Sequence, residues 1–458
     1  MNMINQQDDL MDKIVSLSKR RGFVSPACEI YGGLAGSYSY GPYGITFKNN
    51  IKRLWWKKFI EDRDNMYGID GPILLHPKLW VASGHIGGFN DAMVDCKKCK
   101  KRFRADHLIE DATGEDLEGD LVKMNEILKN GLKCPFCGAS DWTEAKLLNM
   151  MFKTEMNGID EPVYLRPETA GAIFVEFKNV VDVMRPKLPF GIGQIGKAFR
   201  NEIVVGNFIF RTREFEQMEI EYFFDPEAEW EPIFNDFLDR QEEFAHEIGI
   251  PADKLRRFEH PKEKLSHYSR KTVDLEFDSP FGGFKELCGL AHRGDFDLKK
   301  HSEFSNEKLE YFDAVNNRRF VPHVIEPSFG LDRAILVSLL SAYHEEKIGD
   351  DTRVVMKFPH KIAPVSIAIF PLLKNKPDLV SKAREIYDKL RSKYRCEFDD
   401  NGNVGKRYRR QDEIGTPYCI TIDFDTLEDE SVTVRDRDTM EQPRIKISDL
   451  DNFFSDKF

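Results

Sequence analysis

The sequence predicts two domains of different class. Residues 1–360 read as an α+β domain carried by antiparallel strands, and residues 361–458 as a C-terminal α/β domain with a mostly parallel sheet. Three observations lead there. In Gln217-Met218-Glu219-Ile220-Glu221-Tyr222-Phe223-Phe224, residues 218, 220, 222 and 224 are apolar, the period-two pattern of a half-buried antiparallel strand. The stretch Phe358-Pro-His-Lys-Ile-Ala-Pro364 marks a boundary. Beyond it, an apolar run at 365–370, a helical stretch at 379–394 and strands at 418–424 and 432–437 alternate in strand–helix–strand order.

Composition permits this division. With 458 residues, 41% hydrophobic and 32% charged, the chain is long for one domain and typical of a soluble protein. The N-terminus has neither a basic segment nor an apolar run, so no signal peptide is expected. No stretch approaches a membrane span, so a cytoplasmic protein without a membrane partner is expected. The net charge of −11 argues against general binding of polyanions, and no DNA partner is expected. A local patch can still hold RNA, because screening confines charge effects to ~8–10 Å. Lys406-Arg407-Tyr408-Arg409-Arg410 is the candidate.

Along the chain, a helix at 8–21 is followed by a strongly amphipathic helix around Ile51-Lys-Arg-Leu-Trp55-Trp56-Lys-Lys-Phe-Ile60. An insertion occupies residues 95–149, and strands resume at Tyr164. Gly191-Ile-Gly193-Gln-Ile-Gly196-Lys197 imitates both a dinucleotide fingerprint and a phosphate loop. Its context fits neither: Ala198 lacks the hydroxyl a phosphate loop needs, and a strand at 197–203 follows where a helix should. The glycines read instead as close-packing positions. A charged helical insertion spans 226–264, and sheet elements return at 273–298 and from 321.

The cysteines fall into two groups. Cys96-Lys-Lys-Cys99 and Cys134-Pro-Phe-Cys137 are paired knuckles, and four thiolates complete a tetrahedral Zn2+ site of structural type. Cys28, Cys288, Cys396 and Cys419 have no such spacing and read as packing residues.

The polar side of the strand framework carries the chemistry. Alternation places Arg200 and Glu202 on one face of a strand, with residues 203–211 as a long hairpin loop before the return strand. Gly330-Leu331-Asp332-Arg333 opens a helix continued by Ile335 and Leu339. An arginine in a helix's first turn adds a forked phosphate donor to an end that already favours anions. Arginines, one aromatic ring and several carboxylates together suit a nucleoside triphosphate and a small cationic substrate.

These blocks resemble class II aminoacyl-tRNA synthetases. Phe199-Arg200-Asn201-Glu202 is similar to that class's second motif, Gly330 to Arg333 to its third, and residues 41–59 to its first, a dimer element. Ser25-Pro-Ala-Cys-Glu-Ile-Tyr-Gly-Gly-Leu34, Leu165-Arg-Pro-Glu-Thr-Ala170, Arg213-Glu-Phe-Glu-Gln-Met-Glu219 and Ile325-Glu-Pro-Ser328 resemble the homodimeric type of glycyl-tRNA synthetase. The resemblance implies a mainly antiparallel sheet of six to seven strands, an anticodon-binding C-terminal domain, and a homodimer whose partners are tRNA(Gly), glycine and ATP with Mg2+. It implies catalytic roles for Arg200, Glu202 and Arg333: Arg200 on the α-phosphate, Glu202 on the adenine edge, Arg333 on the γ-phosphate, with Phe215 stacked on adenine. The implied ATP set adds Asn201, Phe210, Arg211, Thr212, Arg213, Glu214, Glu286, Leu287, Gly330, Leu331 and Asp332. The implied glycine set is Arg104, Glu168, Phe215, Glu216, Gln217, Met218, Glu219, Glu326, Pro327, Ser328, Phe329 and Gly330. Two alternatives stand beside this: a class II synthetase for another amino acid, and a synthetase-like RNA-binding protein without catalysis.

Overall fold

A computed structural model describes residues 2–115, 117, 119–266 and 269–458, and side chains from residue 9 onward. Met1, Asp116, Glu118, His267 and Tyr268 lie outside it.

In chain order the elements that position the site are as follows. Helix α1 is Asn2–Arg21 and α2 is Pro42–Trp56, followed by the edge strand β1, Met66–Gly68. A small module holds β2 (Asn90–Asp95), β3 (Arg102–Arg104), α3 (Ala105–Thr113), α4 (Leu121–Lys129) and β4 (Lys146–Asn149). Then come α5 (Ala170–Met184), β5 (Phe190–Phe199), β6 (Glu214–Phe224), α6 (Glu231–Glu247), β7 (Leu255–Glu259), β8 (Lys271–Ser279), β9 (Gly283–Gly294), α7 (Phe296–Ser305), β10 (His323–Gly330) and α8 (Leu331–Ala342).

Seven strands form one sheet in the order β7-β8-β9-β10-β6-β5-β1. All neighbours run antiparallel except β1, which joins β5 in parallel. This is the mainly antiparallel sheet the sequence implies. Two expectations change. The segment 226–264 is not wholly inserted, because β7 within it pairs with β8 as the sheet's outer strand. The strand expected at 197–203 is β5, which begins at Phe190 and ends at Phe199, so Arg200 and Glu202 lie beyond it. The Glu202 amide turns back onto the Arg200 carbonyl at 2.6 Å, which closes the ladder.

The glycines of the decoy run sit inside β5 as close-packing positions. A Cβ on Gly196 would meet Arg166 Nη2 at 2.2 Å, and one on Gly193 would meet Ile60 at 2.4 Å. Arg166 is buried there and donates to the carbonyls of Lys197 (2.6 Å) and Gly71 (2.7 Å), tying the segment before α5 to the sheet.

One face of the sheet is dry. Met218, Ile220, Tyr222 and Phe224 of β6 pack with Phe59, Phe329, Ile335 and Trp55. Each such side chain stabilises the fold by ~1.5–3 kcal/mol on burial. Helix α2 reaches this core along one stripe, Phe47, Ile51 and Trp55, with Pro42 in its first turn, where a missing amide hydrogen costs nothing. Trp55 stacks on Phe59 and is fully buried, so within one subunit it is a core residue, not an open dimer face. The opposite, polar face is itself covered in part. At one end Phe177, Phe190 and Phe223 pack under α5, and Glu219 and Glu221 are buried.

The C-terminal strands are β11 (Ile367–Pro371), β12 (Cys396–Phe398), β13 (Tyr418–Ile422), β14 (Ser431–Asp436) and β15 (Arg444–Lys446), with helices α9 (Pro377–Leu390) and α10 (Val404–Ile414). They form a separate core and a sheet in the order β12-β11-β13-β14-β15. The sheet is mixed, not mostly parallel: β12, β11 and β13 run in parallel, while β13–β14 and β14–β15 are antiparallel. The link from β13 to β14 holds only the short helix Phe424–Asp429, less than the dozen residues a parallel crossover needs.

Three of the four cations of the basic patch are engaged within the fold. Arg407 on α10 is buried against the carbonyls of Pro371, Asp400 and Gly402. Arg409 pairs with Asp351 at 2.8 Å and Arg410 with Asp399 at 2.5 Å. Tyr408 packs edge-on to Phe370. Lys406 is exposed, and Arg409 and Arg410 are partly so. Among the described residues no helix is long and apolar enough to cross a membrane.

Candidate active site

The polar face of β6, β9 and β10 opens into a cavity of about 340 Å3 lined by acids and arginines. Contacts sort the lining into two groups: Glu168, Glu219, Glu326 and Ser328 with Arg293, and a more cationic one of Arg200, Arg211 and Arg333 with Glu202, Glu286 and the rings of Phe210 and Phe215. Strand register builds the first group. Glu219 on β6 faces Ser328 on β10, and Glu326 on β10 faces Ala291 on β9.

Hydrogen bonds fix the acids. Glu219 accepts from the Thr169 amide (3.1 Å), the Thr169 hydroxyl and the Ser328 hydroxyl (2.9 Å). Burial, and then the nearby Glu168, push its carboxyl above the ordinary range despite these donors. Glu168 goes the other way. Burial would raise it, but His85 (3.3 Å away), Arg293 and Arg200 outweigh that and hold it at about 2. Arg293 grips Asp297 through Nε and Nη2 (2.8 and 2.9 Å) and Glu326 through Nη1 (2.6 Å). Burial, opposed by Arg293 and assisted by Glu219 and Glu168, lifts Glu326 to about 8. A pocket of carboxylates this dry is poised for a cation.

That raised value has a stability consequence. Folded Glu326 keeps its proton up to about pH 8, whereas the unfolded residue releases it near 4.5, so folding stability drains away as pH rises between these values. Glu326→Gln should therefore raise Tm on the order of 2–4 °C at pH 8 and leave it nearly unchanged at pH 4. Scanning calorimetry at both pH values reads this out, and a gain that fails to grow with pH contradicts it.

In the more cationic group, Arg200 donates to the Pro167 carbonyl (3.1 Å) and lies over the Phe215 ring at 5.3 Å. Arg333, in the first turn of α8, pairs with Glu286 (2.9 Å) and lies over Phe210 at 4.7 Å. The Arg333 guanidinium holds the Glu286 carboxyl below its usual range. Burial raises Glu202, opposed by Arg211 and Arg200.

The sequence-derived set divides. Glu168, Arg200, Glu202, Phe210, Arg211, Thr212, Phe215, Gln217, Glu219, Glu286, Glu326, Ser328, Gly330, Asp332 and Arg333 line the cavity. Others do not. Met218 and Phe329 point into the dry core, because alternate residues of a strand face opposite ways; Leu287, at a bulge in β9, and Leu331, the first residue of α8, pack into it too. Pro327 is buried. Glu216 faces α2, bound by Lys48 (2.8 Å) and Lys52 (2.9 Å). Arg213 is tied to the carbonyls of Glu202 and Ala35, and Glu214 to Lys197. The Asn201 amide bonds the Met150 carbonyl. Arg104 belongs to the module, between Asp91 and Asp106. Asp332, though at the cavity wall, is engaged by the Tyr40 hydroxyl and the Glu216 amide.

Sequence reasoning missed Arg293, Asp274, Ser269 and Thr272, all of which line the cavity. A signal existed for Arg293: Gly289, Ala291 and Arg293 alternate along β9, two small residues leading to one charge. Cys28, expected to pack, is exposed in a left-handed turn (φ 57°).

The four knuckle cysteines converge. Cys96 and Cys137 sulfurs are 3.6 Å apart, Cys99 and Cys134 sulfurs 3.8 Å, and all four lie within 4.8 Å of one another. Sulfurs bound to one tetrahedral zinc at ~2.3 Å lie ~3.8 Å apart, so the cradle fits.

Comparisons with known proteins agree with this geometry. The profile of the tRNA synthetase class II core domain (G, H, P, S and T) matches residues 152–342, and that of the anticodon binding domain residues 366–457. Glycine–tRNA ligase of Acetivibrio thermocellus is 52% identical, covering 98% of each chain. Those of Ruminiclostridium cellulolyticum and Bacillus anthracis are each 51% identical, covering 98% of this chain and 98% and 99% of their own. A crystal structure of prolyl-tRNA synthetase from Cryptosporidium parvum, complexed with halofuginone and AMPPNP, matches with a TM-score of 0.65 at 17% identity over 97% of this chain and 76% of that one. That likeness concerns fold alone. Half the residues shared from end to end is a closer tie than fold, and the chain belongs to the glycine–tRNA ligase family of class II synthetases.

Proposed function

We infer that the chain activates glycine with ATP, releasing pyrophosphate, and then transfers the glycyl group to the 3′ end of tRNA(Gly). The carrying observation is one cavity that brings Glu168, Glu219 and Glu326 together with Arg200, Arg211 and Arg333. The arginine group suits a triphosphate: Arg200 against the α-phosphate, Arg333 against the γ-phosphate, Arg211 alongside, Phe215 beneath the adenine and Glu202 at its amino edge. Glu168, Glu219 and Glu326 then receive the glycine ammonium. The glycine carboxylate attacks the α-phosphorus, pyrophosphate leaves, and positioning with charge stabilisation supplies the acceleration. No covalent enzyme intermediate is required. Mg2+, when bound, neutralises the phosphates, and Glu286 is its candidate ligand.

Glycine offers no side chain to grip, so selection rests on exclusion: buried acids around Cα leave no volume for a methyl. Pyrophosphate exchange over a panel of amino acids, followed by tRNA charging, tests this. Glycine should exceed alanine and serine by at least ~10–200-fold, the range one methylene commands. Equal exchange with either defeats the reading.

The knuckles are proposed to hold a structural zinc, supported by their sulfur spacing. A homodimer pairing through residues 41–59, a cytoplasmic location and division into residues 1–360 and 361–458 are proposed with it. The two separate hydrophobic cores support that division.

A further inference from the structure

One buried acid beside the cavity has no place in this chemistry. Glu219 pairs with Ser328 and Tyr222 with Ile325 across β6 and β10, which sets Glu221 opposite Glu326. Side chains so opposed have Cβ atoms ~4.5–5.5 Å apart, and like charges there are destabilising. Glu221 is 0% exposed, and neither of its oxygens meets a donor among the described residues. Its surroundings supply more negative charge: Glu219 two positions back on β6, Glu326 on β10 and Asp297 on α7. The nearby cation, Arg293 of β9, grips Asp297 and Glu326. Glu168 and His301, from the other side, also act on this group of charges.

An unpaired carboxylate buried in such a place costs far more than a neutral acid that donates a hydrogen bond. We propose that Glu221 is a positioning residue for glycine: it stays protonated, donates that proton to Glu326, and with Arg293 holds Glu326 in the one orientation in which, its own proton released to solvent as the ammonium enters, it presents its charge to that ammonium. Burial, and then Glu326, push Glu221 well above the carboxylate range in spite of Arg293. The proposal rests on the glycine-binding reading of Glu326.

Glycine-dependent pyrophosphate exchange across about pH 6.5–9, where the free glycine amine titrates identically for every variant and so cancels between them, tests it. In the wild type the glycine KM should rise on the alkaline side as the shared proton is lost. Glu221→Gln, whose amide donates at every pH, should remove that alkaline rise. Glu221→Leu, similar in bulk but without a donor, should raise glycine KM about tenfold with the ATP KM changed less than about twofold. An alkaline rise undiminished in Glu221→Gln overturns the proposal. So does an unchanged glycine KM in Glu221→Leu, or an ATP KM rising in step with it, which marks a structural role. A wild type with no glycine-dependent exchange would instead bring down the underlying reading of the pocket.

Discussion

Arg200→Ala should lower the rate of glycine-dependent pyrophosphate exchange by about 10³-fold while the protein remains folded. The size follows from what the guanidinium faces. It lines the cavity close to Glu202 and Arg211, where charge on a transferring phosphoryl group would accumulate. Fixed cations in a water-poor site act strongly because they need no reorganisation as charge develops. The cost to folding should be small. Arg200 donates one hydrogen bond, to the Pro167 carbonyl, and its other contacts are the faces of Phe89 and Phe215. Losing one such bond costs about 1 kcal/mol. Exchange kinetics and a thermal melt together decide the matter. Near-normal exchange removes Arg200 from the reaction, whereas a large fall in Tm makes it a structural residue.

Cys134→Ser should have the second-largest effect, on a different property. Cys96 and Cys134 are buried at the centre of the module's own core, beside Ala105, Ile109, Met124 and Leu128. So small a core cannot hold a fold unaided, and a structural zinc contributes about 10–16 kcal/mol at neutral pH. Replacing one thiolate by a hydroxyl should drop zinc content from one per chain to near zero and open residues 95–149 to protease. Charging should fall with it, since the module also places Arg104, whose charge reaches Glu202. Elemental analysis and limited proteolysis read the two effects. A wild-type protein purified without chelators and free of metal, or a Cys134→Ser protein as protease-resistant as the wild type, ends the zinc reading.

Much of the site was legible because its signals are local. Period-two alternation in Gln217–Phe224 separates the acids from the core residues without any knowledge of the partner strands. The knuckle spacing names its own chemistry for the same reason. Errors arose where a contiguous motif was read as a contiguous site. Met218, Leu287, Phe329 and Leu331 stand next to cavity residues in the chain, and the strand or helix turns them into the core. Arg293 was overlooked because its partners, Asp297 and Glu326, come from another helix and another strand. The patch at 406–410 shows the converse. Its charges are local, but the carboxylates and carbonyls that consume them come from elsewhere, among them Asp351, Asp399 and Pro371.

The sequence by itself determined the antiparallel strand at the centre of the first domain, the strand–helix–strand order of the second, the inventory of arginines and carboxylates, and the four sulfurs. Each of these follows from residue type and from periods of two or a few residues, which the chain carries within itself. Only the tertiary structure decided the rest: which acids are dry, which arginines are spent on carbonyls, and that Glu221 lies opposite Glu326. Solvation and pairing are properties of neighbours in space, and in a sheet ordered β7-β8-β9-β10-β6-β5-β1 those neighbours are set by strand register between segments far apart in the chain.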